Sequence, residues 1–190
     1  LDHNYAIVDV DWDGRDEIVW GSMVIDDNGK GLSTTGLGHG DAQHHGDLNP
    51  YIHGQEGFFC NEEKPNNHYR DLTTAKLYHC SVATNDDGRA MSGNFRNTVP
   101  GAVGFSAHDT PPVSLVENKH LDVLNTTKDR YELPLLLDGD LQEETFNYSN
   151  GKNTPGAVYK PGTYTSWILE GSMTNNDTKG TPCYMGDILG

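Results

Sequence analysis

Basic residues are scarce in this sequence, and the scarcity limits the partners that the protein can bind. Lys and Arg number 13 against 28 Asp and Glu, which leaves a formal net charge of −15. Nucleic acids and anionic membrane surfaces are bound by basic protein surfaces. We therefore expect no nucleic acid and no membrane as a partner, and we expect the chain to attract cations instead.

Long apolar runs are also missing. The longest is the pentapeptide LPLLL at 133–137, whereas a membrane-spanning helix needs about 20 predominantly apolar residues. The apolar fraction is only 34%, and 22 Gly and 9 Pro supply many turns. We expect a single loop-rich domain over residues 1–190.

A leader segment and an initiator Met are absent too, so we interpret the chain as a mature or excised piece of a secreted, extracellular protein. Such proteins can be glycosylated. Acceptor triplets begin at Asn125, Asn147 and Asn176. A chain this rich in Asn, Ser and Thr produces such triplets by chance, so the sequence leaves glycosylation undecided.

Cysteine is the last scarce residue. Cys60, Cys80 and Cys183 allow at most one internal disulfide and leave one thiol over. Two interpretations stay open at this point. Either Cys60 and Cys80 form a disulfide, or all three residues are buried free thiols.

The sequence does contain a repeated signal, an Asp or Asn that follows a short run of apolar or small residues. It occurs at five positions, in steps of 38, 47, 46 and 47 residues: Asp9, Asp47, Asn94, Asp140 and Asp187. Runs of β-branched and aromatic residues follow and predict strands. These predicted strands cover 17–25, 57–61, 76–82, 102–107 and 163–170, and at most a short helical turn is expected at 141–146.

A period near 46–47 residues with several strands per unit favours an all-β fold of β-propeller-like repeats over a helical solenoid. The chain holds about four such blade-like units. Because propellers close at about four to eight blades, we expect a partial or incomplete propeller with calcium-binding loops, a piece of a larger ring. An irregular β-sandwich is the alternative.

The stretch DVDWDGRDE at 9–17 places acids at alternate positions of a predicted loop. The predicted ligands are the acids Asp9, Asp11, Asp13 and Glu17 and the backbone carbonyl of Arg15, with Gly14 permitting the turn between them. Oxygen ligands in this number suit Ca²⁺ better than Mg²⁺. A solvated acidic turn is the alternative, although five acids in nine residues repel each other strongly without a cation. An EF-hand is excluded because its twelfth position would be Trp20.

The next two copies of the loop are weaker. The second offers Asp47, Asn49 and Glu56 as metal ligands. The third carries Asn94 and Arg96 and lacks acids, so we expect no metal there. Metal binding is thus expected to be uneven along the repeats.

A histidine-rich stretch, GLGHGDAQHHGD at 36–47, raises the possibility of a zinc site. Zinc needs three or four ligands that converge with tetrahedral geometry. We favour His39 and Asp41 as polar contacts on a Gly-rich loop, or as part of a calcium shell, over such a site.

Long stretches of this sequence resemble one family of enzymes. NYAIVDVDWDGRDEIVWGS opens a patch that runs from Asn4 to Pro50, and YRDLTTAKLYHCSVATNDDGRAMSGNF, LLLDGDLQEETFN and NNDTKGTPCYMGDILG follow in order. Together they resemble the rhamnogalacturonan lyases of polysaccharide lyase family 11. The resemblance implies an eight-bladed propeller with many structural Ca²⁺ ions and a deep cleft, of which this chain matches about half.

The resemblance also implies a reaction, the β-elimination of galacturonate residues in pectin. A base removes the proton next to the uronate carboxylate, and the 4-linked sugar leaves. NNDTKGTP resembles a substrate loop of the family, which implies Lys179 as the base and Asn176 and Thr178 as substrate contacts. We add His39 as a further candidate substrate contact.

Two functions from different classes remain open after this comparison. The first is a pectin-degrading lyase or its active fragment, acting on an acidic polysaccharide. The second is a non-catalytic extracellular structural or carbohydrate-associated protein, derived from the same scaffold, that assembles with copies of itself into a ring or a filament. A calcium-dependent carbohydrate-binding module shares features with both.

Overall fold

A computed structural model describes residues 5–63, 65–82, 86–106, 112–121, 133–147, 156–161 and 166–171. These residues form sixteen short strands in four antiparallel sheets. Within them there is no helix, and hence none that could cross a membrane. The predicted all-β class is confirmed.

Each sheet has four strands and is built from one continuous segment of the chain. The first contains β1 (Tyr5–Val8), β2 (Glu17–Trp20), β3 (Met23–Ile25) and β4 (Gly31–Thr34). The second contains β5 (Gln43–Gly46), β6 (Glu56–Cys60), β7 (Asn67–Asp71) and β8 (Leu77–Cys80). The third contains β9 (Ala90–Gly93), β10 (Val103–Ser106), β11 (Val113–Ser114) and β12 (Lys119–His120). The fourth contains β13 (Leu133–Leu135), β14 (Glu144–Asn147), β15 (Ala157–Tyr159) and β16 (Ser166–Ile168).

The strand order within every sheet follows the chain, so each strand pairs with the next one in sequence. Two details differ from the sequence prediction. The run 17–25 is a hairpin of two strands, turning at Gly21, which has a φ of 53°. The helical turn expected at 141–146 is wrong: Thr145 and Phe146 lie in β14 and pair with β15. Both residue types have high strand propensity, and pairing on two sides fixes the extended backbone.

The strand register corrects the sequence repeat in its fourth copy. Asp9, Asp47 and Asn94 follow directly on the first strand of their sheets. In the fourth sheet that place belongs to Leu136, and Asp140 lies four residues further along. The prediction that Asp140 is the counterpart of Asp9 is therefore wrong, because an acid in the same loop mimics the spacing.

The core lies between neighbouring sheets, and β6 supplies side chains to both sides. Successive strand residues point to opposite faces of a sheet. Phe58 packs in a cluster with Ala90 and Leu115 of the third sheet region, whereas Phe59 packs with Val19 and Val24 of the first. All five residues of β6 are buried, so the second sheet is covered on both faces.

The first sheet, in contrast, leaves an apolar surface exposed. Tyr5 and Ile7 on β1 pair with Trp20 and Ile18 on β2, and the four side chains are 41% to 68% exposed. We call these four residues the outer face of the first sheet. Large apolar side chains clustered in this way are typical of a surface that another protein segment covers.

Of the two interpretations left open for the cysteines, the Cys60–Cys80 disulfide is wrong. Both cysteines are free, with Cys60 buried and Cys80 exposed. Cys60 lies on β6 and Cys80 on β8, and β7 runs between them. Two strand spacings amount to roughly 10 Å, beyond the reach of a disulfide. The alternative of three buried thiols is wrong for Cys80, and Cys183 lies outside the described residues.

Candidate metal-binding loops

The loop between β1 and β2 brings together three of the predicted ligands. Carboxylate oxygens of Asp9, Asp11 and Asp13 all lie within 4.8 Å of one another. The backbone N–H of Asp13 donates to Asp9 Oδ1 at 3.1 Å and to Asp11 Oδ1 at 3.3 Å, and that of Gly14 donates to Asp9 Oδ2 at 3.0 Å. Gly14 has a φ of 92°, a conformation that favours glycine. The loop backbone therefore holds the three charges close together.

Glu17, at the start of β2, lies beneath this loop in a buried position. Its Oε2 accepts a hydrogen bond from the backbone N–H of Val10 at 2.8 Å, and its Oε1 accepts none from the described residues. Burial raises the pKa of Glu17. Carboxylate oxygens of Glu17, Asp26 and Asp27 lie within 4.8 Å of one another. These three residues form a second group, separate from the three aspartates of the loop.

Asp26 and Asp27 are candidate ligands that the sequence reasoning missed. They lie in the DDNG turn that connects β3 to β4, and a turn of this composition is typical of any hairpin. The register pairs Ile18 with Ile25, so Asp26 follows at the position across from Glu17. The strand register therefore indicates that Asp26 lies near Glu17, whereas the DDNG motif alone does not.

Arg15 contacts acids of the first site through both its side chain and its backbone. Its Nη1 lies 2.7 Å from Asp27 Oδ2, and this ion pair lowers the pKa of Asp27. Its backbone N–H donates to Asp13 Oδ1 at 2.9 Å. Because the Arg15 side chain is 69% exposed, the pair offsets little of the repulsion among the neighbouring acids.

The second loop, between β5 and β6, is built on the same plan with fewer acids. Glu56 is fully buried, and its Oε2 accepts the backbone N–H of Asn49 at 2.9 Å. Burial raises the pKa of Glu56 to about 7. Asn49 Oδ1 accepts the backbone N–H of Tyr51 at 3.1 Å, Asp47 is exposed, and Asp71 lies across from Glu56 in the sheet.

The third loop, between β9 and β10, carries no acid of its own at these positions. Val103 occupies the first position of β10, where the other three sheets have a glutamate. Asn94 instead connects the third sheet to the fourth loop: its backbone N–H donates to Glu143, and its side chain donates to the Leu141 carbonyl. That this loop binds no metal stays a prediction.

The fourth loop, between β13 and β14, contains a cluster that the sequence reasoning did not assign. Asp138, Asp140 and the buried Glu144 offer carboxylate oxygens within 4.8 Å of one another. Lys160 Nζ lies among them, 2.5 Å from Asp138 Oδ2, 3.5 Å from Glu144 Oε1 and in contact with Asp140. Its hydrogen bonds to Asp138 and Asp140 raise the pKa of Lys160. The recoverable signal was the spacing of Asp138, Asp140 and Glu144, which repeats that of Asp11, Asp13 and Glu17.

Of the four candidate substrate residues, His39 lies in the described part of the chain. His39 Nε2 lies 3.0 Å from Glu62 Oε2 on the Gly-rich loop. Lys179, Asn176 and Thr178 lie outside the described residues. Burial lowers the pKa of His44 to about 4, so its imidazole is neutral at physiological pH. Among the described residues the groups of three converging metal ligands consist of Asp and Glu and include no histidine.

These loops and sheets fit a known class of polysaccharide-degrading enzymes. The family model for the C-terminal domain of rhamnogalacturonan lyase family 11 matches residues 2–190. The chain therefore belongs to this family. The predicted resemblance is confirmed, and the match extends over nearly the whole chain.

Two relatives from Bacillus subtilis (strain 168) match over 99% of the chain. The rhamnogalacturonan endolyase YesW is 35% identical over 201 residues, and the rhamnogalacturonan exolyase YesX is 30% identical over 206 residues. The chain covers 30% of YesW and 33% of YesX. It thus spans about a third of the length of these relatives.

Solved structures agree with this assignment. The crystal structure of YesW superposes with a TM-score of 0.74 at 32% identity, covering 95% of this chain and 30% of that one. The structure of the exotype lyase YesX gives a TM-score of 0.80 at 27% identity, covering 95% and 32%. A Bacillus licheniformis rhamnogalacturonan lyase gives 0.68 at 32% identity, covering 78% and 26%.

Proposed function

We propose that the chain is part of a secreted rhamnogalacturonan lyase that cleaves pectin-type polysaccharide by β-elimination. The observation that carries this proposal is the family match over residues 2–190, together with two relatives named as an endolyase and an exolyase. Because the chain spans only about a third of those relatives, the activity of a whole enzyme is a proposal for this chain.

The proposed architecture is a β-propeller in which each four-stranded sheet is one blade. Blades are up-and-down sheets of consecutive strands, and all four described sheets have this topology. The outer face of the first sheet supports further sheets beyond the four. A propeller blade packs both faces against neighbours, as the second sheet does, and the exposed Ile7 and Trp20 would gain such cover from another blade.

Calcium is proposed as the cation of the first loop. The buried Glu17 Oε1 has no hydrogen-bond partner among the described residues, and an uncompensated buried carboxylate is costly unless a cation neutralises it. Asp26 and Asp27 converge with Glu17, and Asp9, Asp11 and Asp13 form another group of converging oxygens in the first loop. Hard oxygen ligands suit Ca²⁺. When bound, the ion would supply structural charge neutralisation that fixes the loop.

For the chemistry, Lys179 is the proposed base. It would take the proton from the carbon next to the uronate carboxylate. The electron pair then forms a carbon–carbon double bond while the 4-linked sugar oxygen leaves. Lys179 must be neutral to accept that proton, which requires a lowered pKa. Asn176, Thr178 and His39 are the proposed contacts that orient the sugar.

The test is an absorbance assay for the unsaturated uronate product. The chain, supplied with calcium, is incubated with rhamnogalacturonan, and a growing ultraviolet absorbance is expected. A Lys179→Ala variant should lose the signal while it keeps the thermal transition of the native chain. Lys119→Ala, at an exposed position on β12, is the matched control and should remain active. An absence of absorbance from the native chain would contradict the enzymatic function for this chain.

A further inference from the structure

One position of the four sheets differs in charge from sheet to sheet. In each sheet the second strand pairs with the third. The position in question is the one that lies opposite the first residue of the second strand in this pairing. The four pairs, from the first sheet to the fourth, are Glu17 with Asp26, Glu56 with Asp71, Val103 with Ser114, and Glu144 with Lys160. A buried glutamate therefore faces an acid twice and a lysine once.

The first and fourth loops share one hydrogen-bond pattern. The backbone N–H seven residues before the buried glutamate donates to its Oε2, from Val10 to Glu17 at 2.8 Å and from Leu137 to Glu144 at 2.8 Å. This shared plan means that the two loops present their acids in the same order.

The aspartates of the two loops also accept hydrogen bonds in the same way. Two aspartates of each loop accept the backbone N–H of the residue two positions later. In the first loop these pairs are Asp13 to Asp11 and Arg15 to Asp13, and in the fourth they are Asp140 to Asp138 and Gln142 to Asp140. Three acids of the first site are replaced in the fourth: Asp9 by Leu136, Asp26 by Lys160 and Asp27 by Pro161.

The Lys160 side chain is aimed into the cluster and away from solvent. It is only 14% exposed, and Nζ contacts Asp138, Asp140 and Glu144 together. Glu144 is fully buried, and its Oε1 accepts no hydrogen bond from the described residues, so its charge depends on the cation that lies 3.5 Å away. The ammonium thus donates to, or faces, the same oxygens that a metal ion would use.

We propose that Lys160 is the built-in cation of the fourth loop and that it excludes divalent ions from this site. An ammonium and a metal ion cannot share one set of oxygens, because the two positive charges would lie within a few ångströms of each other in a partly buried site. The fourth loop then needs no metal. Its stability is independent of calcium, whatever the first loop binds and whether or not the chain is catalytic.

The experiment measures the number of calcium ions bound per chain by equilibrium dialysis, in the native chain and in Lys160→Met. Methionine is unbranched like lysine and one heavy atom shorter, so it keeps most of the length of the side chain and removes the charge. Lys160→Met is expected to bind one ion more than the native chain. Lys119→Met, which removes an exposed lysine from β12, should bind the same number as the native chain. If Lys160→Met gains no ion, the proposal is overturned.

A second variant tests the proposal if Lys160→Met fails to fold. Asp138→Asn in the otherwise native chain removes one ligand of the fourth cluster. Because Lys160 already occupies the site, the number of calcium ions bound should stay at the native value. A loss of one ion would place a metal in the native fourth loop and would overturn the proposal. Both results are read relative to the native chain, so they are independent of lyase activity.

Discussion

Arg70 Nη1 on β7 lies 2.6 Å from the backbone carbonyl oxygen of Ser22, in the turn that joins β2 to β3 of the neighbouring sheet. Nη2 donates to the Gly21 carbonyl at 3.0 Å, and the guanidinium lies over the Phe59 ring at 4.6 Å. Arg70 is fully buried, and burial lowers its pKa to about 10. This side chain donates to the carbonyls of a half-buried turn and ties the first two sheets together.

Arg70→Met should therefore destabilise the chain. The variant removes the Arg70 donor from the Gly21 and Ser22 carbonyls, of which the Ser22 carbonyl still accepts the backbone N–H of Thr35 at 3.0 Å. Each lost hydrogen bond to a charged group costs about 1.5–3 kcal/mol. We expect a loss of roughly 2–4 kcal/mol in the free energy of unfolding, measured by urea denaturation. Lys76→Met, which removes an exposed cation over the Tyr78 ring, should change it by less than about 1 kcal/mol. Equal effects of the two variants would contradict this role.

His68 should make the stability of the chain depend on pH. Burial is the main cause that lowers its pKa to about 3, with Arg70 adding to the effect. An unfolded histidine has a pKa near 6.5. The folded state favours the neutral ring, so the stability from His68 is present above about pH 6.5 and is lost as the pH falls towards 3. We expect the melting temperature of the native chain to drop between pH 7 and pH 5.

The variant that checks the pH effect is His68→Gln, which keeps a polar partner for Asn61. The variant should be less stable than the native chain at pH 7, because the stacking of the His68 ring on Phe59 is lost. Between pH 7 and pH 5 the melting temperature of the variant should fall by less than that of the native chain. His120→Gln, at an exposed position, is the control and should follow the native pH profile. A profile of His68→Gln parallel to the native one would show that other groups cause the acid sensitivity.

Calcium should stabilise the chain through the first loop. A ligand that binds only the folded state adds about 2.7 kcal/mol at one hundred times its dissociation constant. Addition of a chelator should lower the melting temperature, and Asp11→Asn should shrink that shift. Asp86→Asn, an equal change of charge at an exposed position, should leave the shift unchanged. A chelator without effect on the native thermal transition would count against a structural calcium ion.

Self-association is expected through the outer face of the first sheet. In calcium, where the loop charges are neutralised, light scattering at high concentration should detect species larger than one chain. Ile18→Lys places a charge in the centre of this face and should return the protein to single chains. Leu77→Lys replaces an equally exposed apolar residue of the second sheet and should not. A compact native monomer in calcium would rule out this mode of assembly.

The first loop could be predicted from the sequence because its geometry is local. Alternate acids followed by Gly14 converge within a single turn, and the structure brings Asp9, Asp11 and Asp13 together. Asp26 and Lys160 could not be predicted in the same way. Their proximity to Glu17 and Glu144 depends on which residues pair across a hairpin, and hairpin length is set by turn geometry.

Two further errors have the same origin in pairing. The period suggested Asp140 as a repeat start, although the register assigns that place to Leu136. Cys60 and Cys80 are consecutive cysteines in the sequence, which suggested a disulfide, yet β7 runs between their strands and keeps them apart. Arg70 reads as a surface residue in a polar stretch, and only the packing of two sheets shows that it is buried.

The pairing of each strand with the next one in sequence has a consequence for how the chain acquires its structure. Hairpins close over short loops, so their entropic cost is small and their formation is fast. On the ribosome, the first sheet can complete its hydrogen bonding before the second has been synthesised. What remains is the docking of finished sheets, and the Arg70 side chain reaches the turn at Ser22 only when the second sheet docks on the first.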